Sequence, residues 1–215
     1  MALKLLYHPL SSYCHKVLIA LYENETAFTP SLVDLMDDKQ RADFLALWPV
    51  GKFPVLVDDK RDLVIPESTV IIEYLGLHYP GPVSLVPAEP EAAWQVRRVD
   101  RFFDLYVMTP MQSIVADRLV PEDKRNPSSV DAAKQRLKTS YQLLDKDLAG
   151  KTWAAGEAFS MADCAAAPAL YYADKVLPFT DTHENVTAYF ERLLARPSYA
   201  RVLKEAEPYL AMFPG

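Results

Sequence analysis

Residues 79–90, "YPGPVSLVPAEP", carry prolines at 80, 82, 87 and 90. Each proline fixes φ and removes a backbone donor, so neither a helix nor a central strand runs through such a stretch. The segment therefore divides the chain, and the hydrophobic patterning on its two sides differs in kind. On the N-terminal side short elements alternate. "LKLLYH" reads as a strand, and residues 12–24 read as a helix, with Cys14, Val17, Leu18 and Leu21 on one stripe. A second strand follows at 28–34, and Pro30 confines it to a sheet edge. The polar helix "DKQRADFLAL" leads to the strand "PVLVDD", its hairpin partner "DLVIP" and a helix over 67–79. The order is β-α-β-α-β-β-α.

After the prolines every pattern is helical. Val99, Phe102, Phe103, Tyr106 and Val107 form an apolar stripe on a first long helix. Asn126-Pro127 starts another, whose Val130, Ala133, Leu137, Tyr141, Leu144 and Leu148 recur at spacings of three and four until Gly150. "MADCAAAPALYYADKVL" is small and apolar on nearly every side, as a helix at the centre of a bundle must be. The division expected is a first domain over 1–80, a linker over 81–90 and an all-helical domain over 91–215.

Composition narrows the function. A length of 215 residues suits one large core or two modest ones, and a formal net charge of −6 argues against a nucleic-acid partner. No apolar run is long enough to span a membrane, and the N-terminus lacks the apolar core and cleavage site of a signal peptide. Two distant cysteines, Cys14 and Cys164, give no disulfide framework and point to a reducing cytoplasm. Four scattered histidines give no metal-ligand spacing.

Three short motifs carry chemistry. In "SSYCHKV", residues 11–17, a strand runs into a helix whose first-turn N–H groups are free and positive. Ser11 there either caps the helix or donates a hydrogen bond to an anion at its start; a thiolate so held has a lowered pKa. Cys14 shares the buried stripe and reads as an inert core thiol, with Ser12 a substitute for Ser11. In "WPVGKFPVLVDD", residues 48–59, a cis bond before Pro54 would turn the Phe53 backbone sideways to pair with an extended peptide. In "PESTVIIEYL", residues 66–75, Glu67 and Ser68 either cap a helix or hold an ammonium and a carboxylate respectively. A ligand with both groups on one carbon satisfies the pair.

In this order and spacing the three motifs resemble the glutathione-binding domain of the soluble glutathione transferases. The proline-rich linker, the helical second half and "FSMADCAAAP", residues 159–168, extend the likeness over the whole chain, Ser160 and Asp163 resembling that family's capping box. The resemblance implies a thioredoxin-like βαβαββα domain followed by an α-helical bundle. It implies glutathione as co-substrate, no metal, and addition of the glutathione thiolate to small apolar electrophiles. By motif, Ser11 matches the serine that activates the thiol in serine-type classes such as theta and zeta, and the chain as a whole looks bacterial-like; in some bacterial and omega-type members a cysteine takes this position. Phe53 before Pro54 holds the cysteinyl backbone, Lys52 attracts the glycine carboxylate, and Glu67 and Ser68 hold the γ-glutamyl end. Tyr106, Met111 and Phe213 are expected to line the electrophile cleft. A cytoplasmic homodimer is implied, with Asp100 or Asp104 of the partner completing the γ-glutamyl site. Two rival readings stay open: other glutathione chemistry (disulfide reduction, dehalogenation or isomerisation), and a non-catalytic binding module.

Overall fold

The structure is a computed structural model that describes residues 2–214. The first half contains β1 (Leu3–Tyr7), α1 (Ser12–Glu23), β2 (Thr29–Leu32), α2 (Asp38–Leu47), β3 (Val55–Asp58), β4 (Leu63–Pro66) and α3 (Ser68–His78). The strands form one mixed sheet in the order β2-β1-β3-β4, with β2 parallel to β1 and the other pairs antiparallel. This is the thioredoxin-like order of elements, and Pro30 lies on the edge strand, where its missing N–H costs no ladder bond.

Alternation along the strands separates two cores. Leu3, Leu5 and Leu56 face α1, α3 and the second domain. Leu6 and Val55 face the other way, onto Val33 and Phe44 beneath α2. The first of these cores continues without a break into the helical half, so Leu5 and Val17 belong to the same cluster as Tyr141 and Leu193.

The second half contains α4 (Pro90–Phe102), α5 (Thr109–Leu119), α6 (Pro127–Asp147), α7 (Met161–Val176), α8 (Glu184–Leu194) and α9 (Pro197–Ala206). Pro90, expected as the last linker residue, is the first residue of α4, a position where a proline's missing N–H has no helical partner to lose. Helices α4 and α5 are joined by a π-helical turn, Phe103–Met108, rather than by a loop. Helix α7 is buried along almost its whole length, as its all-round apolar pattern requires. No helix among the described residues is long and apolar enough to cross a membrane.

Asp163 fixes the start of α7. Its carboxylate accepts from the N–H and hydroxyl of Ser160 at 2.8 and 3.0 Å, the Ala154 N–H at 2.8 Å and the Tyr189 hydroxyl at 2.7 Å. Four donors thus meet one fully buried side chain, and the helix start is closed.

Candidate functional site

One row of the sheet assembles the site. Leu6 of β1 lies opposite Val55 of β3, which lies opposite Pro66 of β4. The chain leaves β1 just beyond that row towards Ser11, enters β3 just before it through Phe53-Pro54, and leaves β4 just beyond it at Glu67. The three motifs, far apart in sequence, therefore meet at one edge of the sheet, and the starts of α1 and α3 meet there too. Both helices present unpaired N–H groups and the positive ends of their dipoles to this edge.

Ser11 is half-buried and is the N-cap of α1, its hydroxyl oxygen accepting from the Cys14 N–H at 3.4 Å. The contact is long for a hydrogen bond, and it uses the oxygen while leaving the hydroxyl proton free to donate. Ser12 is buried. Cys14 is fully enclosed, and burial pushes its thiol up to about 12, with the Ser11 contact opposing only weakly. It is a neutral core thiol at neutral pH.

The Phe53-Pro54 bond is cis. The Phe53 ring stacks on Phe44 with centroids 4.7 Å apart, and its backbone lies ahead of the β3 ladder, which begins at Val55. Lys52 beside it is exposed. Glu67 is the N-cap residue of α3, yet its side chain makes no capping bond. Its backbone adopts φ +72°, ψ 114°, a region strained for any side-chain-bearing residue. Capping therefore does not account for Glu67. Ser68, the first residue of the helix, is buried.

Next to this edge lies a cleft of about 360 Å³ lined by Leu10, Ser11, Ser12, Met111, Tyr172 and Phe213, among others. Of the residues expected to line an electrophile cleft, Met111 and Phe213 border this cavity. Tyr106 does not: it is 57 % exposed, it packs against Phe102 with centroids 5.4 Å apart, and it is absent from the cleft wall. It lies within the π-turn, three residues before α5 begins. The tail reaches the cleft through Phe213, 5.3 Å from the Tyr172 ring, and Arg118 donates to the Pro214 carbonyl at 3.1 Å.

A second correction concerns Asp100 and Asp104, expected to serve a partner subunit. Both are buried within their own chain around Lys16, itself only 1 % exposed. Lys16 Nζ lies 2.6 Å from Asp100 Oδ1 in an ion-pair contact and donates to Asp104 Oδ2 at 2.9 Å and to Thr69 Oγ1 at 2.8 Å. Arg101 covers the group from outside, donating to Asp100, Asp104 and Thr69. Two cations and two carboxylates balance one another, so neither aspartate is free for a ligand across an interface. Burial nevertheless raises the Asp104 carboxyl, the Lys16 charge opposing it.

Lys16 was not among the residues the sequence patterns singled out. The signal lay in "CHKVLIAL", residues 14–21, whose two polar residues sit in a helix otherwise apolar all round. His15 is buried with Lys16. Its Nε2 lies 2.5 Å from the Pro9 carbonyl, and burial depresses its pKa to about 4.

The profile for "Glutathione S-transferase, N-terminal domain" matches residues 5–83 and that for "Glutathione S-transferase, C-terminal domain" matches residues 102–197, so the chain belongs to the glutathione S-transferase family. Glutathione S-transferase GstB of Escherichia coli K12 is 27% identical over 201 residues, covering 90% of this chain and 93% of that protein. A stringent starvation protein A homolog of Haemophilus influenzae is 29% identical over 198 residues, covering 91% and 87%. Among solved structures, a glutathione S-transferase from Methylobacillus flagellatus with glutathione bound superposes with a TM-score of 0.85 at 26% identity, covering 93% of this chain and 98% of that one.

Proposed function

We propose that this protein is a catalytically active glutathione transferase of serine type, and that Ser11 activates the thiol. One observation carries the reading: the Leu6–Val55–Pro66 row gathers Ser11, Phe53 and the Glu67–Ser68 pair at one sheet edge, beside an apolar cleft. The Methylobacillus relative, whose structure holds glutathione, supports the choice of ligand.

In this reading the γ-glutamyl end lies at the start of α3, its ammonium at Glu67 and its carboxylate at Ser68 and the first-turn N–H groups. The Phe53 backbone pairs with the cysteinyl residue, and Lys52 faces the glycine carboxylate. The cysteinyl sulfur then comes to the start of α1, where the Ser11 proton and the helix dipole favour the thiolate. An electrophile in the cleft walled by Met111 and Phe213 receives the sulfur electron pair. The C–S bond forms as a leaving group departs with its own pair, or as a conjugated double bond takes up a solvent proton. Orientation and thiolate stabilisation are the protein's contribution. Two copies pair in solution, as the family resemblance implies, and the protein works in the cytoplasm.

Ultraviolet titration of bound glutathione in the parent and in Ser11→Ala tests this. The expected result is a thiol that ionises well below free glutathione in the parent and not in the variant. Bound glutathione without any such shift favours the binding-module reading. A shift that survives Ser11→Ala transfers the role to another group.

A further inference from the structure

The Thr69 hydroxyl stands between the two domains. It accepts from Lys16 Nζ of α1 at 2.8 Å, accepts from the Arg101 guanidinium of α4, and donates to Asp100 Oδ2 of α4 at 2.9 Å. A hydroxyl has two lone pairs and one proton, and here all three are engaged. Thr69 directly follows Ser68 and lies two residues from Glu67, the one residue of this turn held at a positive φ. That φ is costly, and the Glu67 side chain makes no bond that would hold it there. The backbone is therefore held from its two sides, by Pro66 in the β4 ladder before it and by the bonds of Thr69 after it.

Lys16 has no ordinary structural reason to be where it is. A lone ammonium in a core is expensive, and a buried ion pair seldom stabilises more than apolar residues of the same shape would. What the pair does supply is direction. Lys16 donates to Asp104 and Thr69 and lies in ion-pair contact with Asp100, so the α3 start is tied to a fixed point beside α4 across the domain boundary.

We infer that Thr69 is a positioning residue: through its hydroxyl the second domain, by way of Lys16, Asp100 and Arg101, holds the Glu67–Ser68 turn in the geometry that receives the γ-glutamyl end of glutathione. This rests on the glutathione reading above. The clamp acts on ligand affinity and not on thiol ionisation, because Ser11 belongs to a different helix start.

Thr69→Val tests it, keeping the shape and removing the hydroxyl, with Thr69→Ser as the restoring variant. The expected result for Thr69→Val is a glutathione Kd and KM raised about tenfold. The kcat at saturation, the KM for the electrophile and the pKa of the bound thiol stay within about twofold or a few tenths of a unit. Thr69→Ser recovers most of the affinity. Amide exchange at residues 67–71 speeds up in Thr69→Val and not in Thr69→Ser. An affinity within twofold of the parent in a folded Thr69→Val overturns the inference, as does a Thr69→Ser no better than Thr69→Val. Equal damage to the electrophile KM overturns it too, since that marks a general loosening. If Thr69→Val does not fold, Thr69→Ala takes its place. A parent that binds no glutathione overturns the transferase reading instead, and the exchange comparison then decides whether the clamp exists.

Discussion

The starts of α7 and α3 are the same local problem solved in opposite ways. At α7 the Asp163 carboxylate is buried and meets four donors, so every group is spent on the protein itself. At α3 the N-cap residue Glu67 is exposed, makes no capping bond and holds a strained backbone. A closed helix start contributes stability, whereas an open one gives up stability and leaves donors for something else. Ser11 lies between the two cases, capping α1 weakly with its oxygen while its proton remains free.

Substitutions break this contrast in order of effect. Asp163→Ala leaves four buried donors unpaired and should lower unfolding free energy by about 3–5 kcal/mol in urea titrations, with glutathione affinity of the folded protein unchanged. A loss near zero would mean that the α7 start is not the anchor its bonds describe.

His15 sharpens the point for α1, whose start is open but whose next turn is sealed. Its folded pKa, about 4, lies below the usual 6.5, so the unfolded chain binds the proton first. Stability is therefore full above about pH 6.5 and falls by about 1.4 kcal/mol per pH unit down to about pH 4. His15→Gln should flatten that slope, measured by denaturant midpoints across the range.

Glu67→Gly should move the two properties in opposite directions. Glycine accepts a positive φ without penalty, so the melting temperature should rise by the equivalent of about 1 kcal/mol, while glutathione affinity falls at least about tenfold in calorimetry. A fall in both would return Glu67 to the structural class. The smallest effect belongs to Ser11→Ala as a stability change. A cap contact of 3.4 Å should be worth less than about 1 kcal/mol by thermal melting, whatever happens to thiol chemistry.

The elements that pattern alone locates are those where one physical rule dominates. Helix α7 reads out from its all-round apolar surface, β2 from its edge proline, and the α6 start from Asn126-Pro127, whose side chain accepts from the Ser129 N–H. Ser11, Phe53, Glu67 and Ser68 stand out only in combination, since each short motif alone reads equally as a cap or a turn, and it is the strand register that brings them together. Tyr106 belongs to an apolar stripe by spacing, but the structure leaves it 57 % exposed beside Phe102, an exposure that spacing alone does not show. The Lys16 group was hidden for another reason. Its partners Asp100 and Asp104 lie more than eighty residues away, and a lysine's burial is decided by such partners rather than by its neighbours in sequence.

The continuous cluster that runs from Leu5 through Val17 to Leu193 has a bearing on recombination. A chimera that exchanges the two halves between relatives at the proline segment would cut through no secondary structure, yet it would pair the α1 of one protein with the α7 and α9 of another. Such hybrids inherit a mismatched seam at Val17, Leu18 and Leu21 and a lysine whose aspartates come from a foreign helix. Because α1 also packs on the sheet and on α3, it cannot simply travel with the second half; hybrids cut at the linker should fold best where Lys16, Val17, Leu18 and Leu21 are matched to the incoming helices.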